Sequence, residues 1–201
     1  MGQFGIGQPV AREEDPYLLR GQGRYVDDVS EKGQLQASVL RSPFAHAKIN
    51  SVDISAAESA PGVHLVLTGD HPEVAKLGLQ HPMVQRYRRD GTPVPPCPQK
   101  HLATDVVRYV GDYVAFVVAD TLAQAKDAAE MIVVDYEELP SVVSTSAAVT
   151  PAAPQIWEEL PNNEMYVHRV GDESATDAAF AKAAHVVKHS MVINRVTTNS
   201  M

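Results

Sequence analysis

The sequence predicts an α+β domain followed by an extension. Three observations lead there. Runs rich in β-branched and aromatic residues, several with period-two alternation, recur between residues 35 and 119. A helix with a readable start lies between two such runs in "DVVRYVGDYVAFVVADTLAQAKDAAEMIVVDYEELP", residues 105–140. After Pro140 the composition shifts to Ser, Ala, Thr and Pro. With 201 residues, 44% of them apolar, the chain can bury one sizeable core and still leave an extension outside it.

Residues 1–19 show little apolar periodicity and read as an arm, extended around "AREEDP" because Pro16 biases Asp15 away from helix. Gly21 and Gly23 flank a loop, and Tyr25-Val26 begins a short strand. In "GQLQASVLRS", Leu35, Ala37 and Val39 share one face and Gln34, Gln36 and Ser38 the other, which predicts a half-buried strand ended by Pro43. "AKINSVDI" is a second strand, "SAAESA" one or two helical turns stopped by Pro61-Gly62, and "VHLVLTG" a third strand. Residues 70–104 hold six of the fourteen prolines and read as a long irregular loop with a helical turn around Glu73–Leu77. Val106–Val110 and Tyr113–Ala119 read as a hairpin turning at Gly111-Asp112. Thr121 caps a helix with Gln124 at capping-box spacing, and Leu122, Ala125, Ala128 or Ala129, and Ile132 form its apolar stripe. "MIVVDYEEL" is the strand after it. Residues 141–164 read as a linker, followed by a short strand at "YVHRV", a capped helix over 176–184 and a terminal strand, Val186–Val196.

The bulk numbers exclude several functions. A net charge of −8 argues against general nucleic-acid binding, which needs a cationic surface. One cysteine, Cys97, excludes an internal disulfide framework and fits a reducing compartment. No apolar run is long enough to span a membrane, and the first residues lack the pattern of a secretory signal, so a cytoplasmic location is expected.

Local motifs add no self-contained active site. Eight histidines are present, but no H-E-x-x-H or comparable pair, and His46, His64, His71, His81 and His101 read as surface or loop histidines. Gly5-x-Gly7 has neither the preceding strand nor the third glycine of a dinucleotide fingerprint. The prolines around Cys97 deny it the helix N-terminus that activates a thiol. Arg86, Arg88 and Arg89 around Tyr87 form a basic patch: a solvated loop, or, on a sharper reading, a contact surface for an acidic partner or a phosphate-bearing cofactor. "REED", Arg12 to Asp15, reads as a salt-bridging arm, and Arg41 as a tie to carbonyls or a neighbouring acid.

Ordered stretches carry a resemblance to a known family. "GIGQPVAREEDPYLLRGQGRYVDDV", "LRSPFAHAKI", "PGVHLVLTGD", "VRYVGDYVAFVVADTLAQAKDAAEMIVVDYEELPSVV" and "GDESATDAAFAKAAHVVKH" resemble, in order, the N-terminal region of the molybdenum-binding large subunit of the xanthine oxidase family. That family includes aerobic carbon monoxide dehydrogenase, aldehyde oxidase and xanthine dehydrogenase. The resemblance implies an arm over 1–19, an α/β-hammerhead domain over 20–140, and over 141–201 a linker with the first helix and strand of a molybdopterin-binding domain. It also implies that the pterin-binding domains and the glutamate base lie beyond Met201, so no residue of this sequence is assigned as catalytic, cofactor-binding or metal-ligating.

The implied function is support for the pterin domains and for subunit contacts in a molybdenum hydroxylase. Molybdopterin with molybdenum would sit in the complete subunit, and iron–sulfur clusters and FAD on partner subunits. Its partners would be the remainder of the large subunit or a separate pterin-binding chain, together with the iron–sulfur and flavin subunits. The terminal strand, left unpaired, is expected to fray or to pair with a second copy. The alternative is a stand-alone scaffold or protein-binding module without redox activity.

Overall fold

The computed structural model describes residues 7, 11–88, 90–167 and 169–193. The chain divides into two compact units, residues 1–34 with 185–201, and residues 35–184. In the first unit a single helical turn, α1 (Asp15–Leu18), carries Pro16 in its opening turn. There the absent N–H costs nothing, because first-turn donors have no intrahelical partner, so Asp15 is helical where the sequence suggested extended chain. Arg12 pairs with Asp15 at 3.2 Å, as a salt-bridging arm would. A 3-10 turn, Val26–Asp28, stands where a short strand was expected; the Asp28 carboxylate accepts from the Tyr25 N–H at 3.0 Å and closes it.

The second unit is built on two three-stranded sheets and a two-residue ladder. In chain order its elements are β1 (Gln36–Arg41), β2 (Ala47–Asp53), α2 (Ser55–Glu58), β3 (Val63–Thr68), α3 (Pro72–Ala75), β4 (Leu79–Gln80), β5 (Gln99–Lys100), β6 (Val106–Val107), β7 (Tyr113–Ala119), α4 (Leu122–Glu130), β8 (Val133–Glu138), α5 (Thr145–Ala148) and α6 (Glu173–Lys182). The first sheet runs β1-β7-β3 and the second β6-β2-β8, all antiparallel; β4 pairs with β5.

One core lies between the first sheet and its helices. Val66, Ala115 and Val117 meet Ala57 of α2 and Ala128 and Ala129 of α4. A second cluster, Ala47, Ala103, Val107 and Val114, lies under the second sheet, and Val52 and Val134 reach both. The predicted stripe of α4 is correct at Ala125, Ala128, Ala129 and Ile132, which are buried, while Leu122 stays half-exposed. The strand face read as buried in β1 is reversed. Leu40 pairs with Ala115 on the core side, so Gln36 and Ser38 share that side and Ala37 and Val39 point away from it. Alanines on α4 bring the helix close to the sheet and leave no depth for large side chains there.

The Thr121 cap is present: its hydroxyl accepts from the Gln124 N–H at 3.2 Å and donates to the Gln124 side-chain oxygen at 2.7 Å. Thr121→Ala is expected to destabilise the chain by about 1 kcal/mol, measured as a lower urea midpoint at unchanged slope.

Four further expectations are corrected. Val106–Val107 and Tyr113–Ala119 do not form a hairpin; β6 joins the second sheet and β7 the first. Val186–Ile193 is not strand and is exposed; residues 194–196 of the expected strand lie outside the described residues. Strand propensity alone does not hold a strand that has no ladder partner. Nor is there a strand among the described residues of "YVHRV". The α6 helix begins at Glu173, three residues before the expected start, because Asp172 caps it by accepting from the Ala175 N–H at 2.9 Å.

Residues 141–164 are more ordered than a linker. The Asn163 side chain accepts from the Ile156 N–H and donates to the Ala148 and Pro154 carbonyls, each at 2.9 Å, and Leu160 is buried.

Candidate functional site

The chain crosses from the first sheet to the second through residues 42–46 and returns through 108–112, and the two crossings are bonded to each other. The Ser42 N–H donates to the Asp112 carbonyl and the Gly111 N–H to the Ser42 carbonyl, both at 2.8 Å. Gly111 adopts φ +94°, a conformation that favours glycine. The Asp112 carboxylate accepts from the N–H groups of Arg108 at 3.1 Å and Tyr113 at 3.0 Å. Ser42 is buried, with its hydroxyl bonded to both backbone groups of Phe44. His46, read from sequence as a surface histidine, is buried and donates from Nδ1 to the Pro140 carbonyl at 2.9 Å, tying the start of β2 to the end of β8. Arg41 behaves as expected: it donates to the Gly111 carbonyl at 3.2 Å and stacks 4.5 Å over the Tyr113 ring.

Next to this junction the Arg108 guanidinium lies 4.1 Å over the ring of Trp157, the chain's single tryptophan. Its Nη1 donates weakly to the Val106 carbonyl at 3.5 Å, and its Nε is buried without a partner. A cavity of about 180 Å³ opens here, lined by Leu79, Lys100, Asp105, Arg108, Tyr109 and Trp157 among others. Burial would raise the Asp105 carboxyl, but the hydrogen bond and charge of Lys100, 3.1 Å away, outweigh it and hold the group below its ordinary value. Burial, and then the Asp112 charge, push the Tyr109 hydroxyl up. The lining thus carries two cations and two carboxylates, of which Lys100 and Asp105 form an ion pair while the Arg108 guanidinium faces Trp157. Such a junction can hold a hydrogen-bond acceptor and fasten a loop; it contains no nucleophile with a base beside it.

The remaining sequence candidates do not converge. His64 pairs with Asp120 at 2.7 Å, His71 caps α3 by accepting from the Glu73 N–H, and His101 bonds Gln80. Among the described residues no three His, Cys, Asp or Glu side chains are placed to hold a metal. Cys97 is buried at φ +41°, and burial, followed by the Glu159 charge, raises its thiol above the ordinary value. Iodoacetamide at neutral pH is expected to leave Cys97 unmodified in the native chain and to alkylate it in urea; rapid native labelling would show an activated thiol. Trp157 and Arg108 escaped the sequence reading because 49 positions separate them and no local pattern joins them.

Comparison with known proteins gives this architecture a place. Residues 20–140 match the family model described as aldehyde oxidase and xanthine dehydrogenase, a/b hammerhead domain. The chain belongs to that family. It is 40% identical over 184 residues to the nicotine 6-hydroxylase large subunit of Paenarthrobacter nicotinovorans, covering 90% of this chain and 21% of that one. To the carbon monoxide dehydrogenase large chain of Afipia carboxidovorans it is 36% identical, covering 96% of this chain and 24% of the relative. Among solved structures, reconstituted CO dehydrogenase from Oligotropha carboxidovorans superposes with a TM-score of 0.72 at 35% identity, over 90% of this chain and 23% of that one. The hammerhead chain thus spans less than a quarter of the length of these two relatives. No helix among its described residues is long and apolar enough to cross a membrane.

Proposed function

We propose that this chain is the supporting, non-catalytic hammerhead portion of a molybdenum hydroxylase large subunit, of the carbon monoxide dehydrogenase or aldehyde oxidase type. The observation that carries the reading is the alignment of nearly the whole chain with about a quarter of a carbon monoxide dehydrogenase large chain. Oxidation of carbon monoxide, an aldehyde or a heterocycle would then take place only in the complete assembly. That assembly would hold molybdopterin in its pterin domains and pass electrons to iron–sulfur centres and flavin on partner subunits, in the cytoplasm. The Arg108 cavity does not fit a pterin. At about 180 Å³ it falls below the range of roughly 300 Å³ and upward usual for cofactor-sized ligands. On this reading, no catalytic, cofactor-binding or metal-ligating role is given to any residue here.

The hydrogen-bonded double crossing at Ser42 and Asp112 suits a rigid support: it fixes the two sheets to each other by backbone bonds at both crossings. Metal analysis tests the reading. In native purification, molybdenum and iron are expected to accompany the chain together with pterin-, iron–sulfur- and flavin-carrying polypeptides, while the 201-residue chain alone carries no molybdenum and oxidises neither carbon monoxide nor aldehydes. Turnover by the companion-free chain would sink it. Native purification without any redox partner would favour the scaffold alternative.

A further inference from the structure

We infer that the cationic hairpin at residues 85–94 is a docking surface for a separate protein subunit that presents carboxylates around an apolar recess. The proposal rests on the reading of the chain as part of a multi-subunit oxidoreductase. Between residues 76 and 101 the chain carries five lysine or arginine side chains and one carboxylate, Asp90, in a protein of net charge −8; Lys76 and Lys100 are paired with Glu73 and Asp105, and the other three are the arginines at 86, 88 and 89. The same stretch displays large apolar groups in the open: Met83 is fully exposed, Tyr87 64%, Leu77 63% and Val84 58%. Singly exposed apolar residues are ordinary, but several in one short stretch, combined with arginine and tyrosine, have the composition of an interface centre.

The hairpin is also built in advance. Arg88 and Thr92 close it at 2.8 Å, and Val94 N–H donates to the Arg86 carbonyl at 2.9 Å. Asp90 accepts from both the N–H and the hydroxyl of Thr92, and Gln85 ties the two arms through the Arg86 and Val94 carbonyls. Val94, at the base, is buried. The one carboxylate is thus engaged inside the turn, and little ordering cost remains for binding. Nucleic acid is the less suitable occupant, because phosphate binding needs many cations and gains nothing from exposed Met83 and Val84.

The test uses the complex purified through a tag on this chain, with a photo-crosslinking phenylalanine analogue in place of Met83. Irradiation is expected to join it to a companion subunit at a carboxylate-rich peptide. Arg86→Glu with Arg88→Glu, or about 0.5 M salt, should cut the yield about tenfold at an unchanged circular dichroism spectrum; where Arg88→Glu disturbs the turn, Arg86→Glu alone carries the comparison. Crosslinks to this same polypeptide, to a second copy or to nucleic acid, or yields indifferent to charge reversal, overturn the inference. If companions co-purify and only the crosslink fails, the hairpin inference falls and the functional reading stands; if none co-purifies, both fall.

Discussion

Gly69→Ala should lower the melting temperature of the chain by about 6–12 °C, corresponding to roughly 3 kcal/mol. Gly69 follows β3 directly, and residues 102–104 pass against it. A Cβ placed there would lie 2.4 Å from the Thr104 methyl, 2.6 Å from the Leu102 carbonyl oxygen and 3.0 Å from that of Ala103. The methyl could rotate away; the carbonyls could not. Ala103 N–H donates to the Tyr113 carbonyl at 2.7 Å, and Leu102 and Ala103 are both buried, so the passing segment has no room to retreat. Relief therefore requires moving the end of β3 or the start of β7, and both belong to the sheet that covers the main core. Gly78→Ala is the control: nothing lies within 4 Å of its would-be Cβ, and only its φ of +72° opposes the change, at about 1–2 kcal/mol. Thermal melts of the two variants should separate them. A Gly69→Ala protein that melts with or above Gly78→Ala would show that the segment at 102–104 yields easily.

Most of the fold was legible from pattern alone. β2, β3, β7, α4 and β8 are the segments with the clearest period or cap, and each formed near its expected bounds. The errors have physical causes outside any short window. Two β-branched runs around Gly111-Asp112 satisfy the hairpin rule, yet the turn is captured by Ser42, 69 positions upstream, whose backbone bonds send β6 and β7 into different sheets. In β1 alternation correctly indicated a strand but not which side faced the core, because Gln36 and Ser38 lie towards small alanines and not towards water. Val186–Ile193 has the composition of a strand, and composition cannot supply a neighbour. Histidine is polar enough to read as surface, so His46 could be recognised as a buried tie only once Pro140 was placed beside it. Family resemblance rested on ordered motifs and survived these local errors, since it depends on the succession of segments and not on where each one packs.

Arg108→Ala is expected to release the loop that carries Trp157, with little change in the two sheets. The stack at 4.1 Å joins the end of β6 to residues 141–164, and in a partly desolvated setting such a contact is worth about 2 kcal/mol. Against this stands the buried Nε, whose missing partner is a standing cost that the substitution removes. Truncation also removes the aliphatic stem, whose packing is lost together with the charge, so the balance favours opening. Because Trp157 is the chain's single tryptophan, its fluorescence reports the event without interference. Emission should shift to longer wavelength and acrylamide quenching should rise, while far-ultraviolet circular dichroism stays nearly constant. Two conservative variants divide the causes. Arg108→Lys keeps the charge but loses the flat stacking surface and should open partway. Arg108→Met keeps the stem, discards the unsatisfied donor and loses the charge, so it should lie closer to the native protein if packing dominates and closer to Arg108→Ala if cation–π attraction dominates. An Arg108→Ala chain with native emission and quenching would mean that Asn163 and Leu160 hold the loop by themselves and that the stack is incidental.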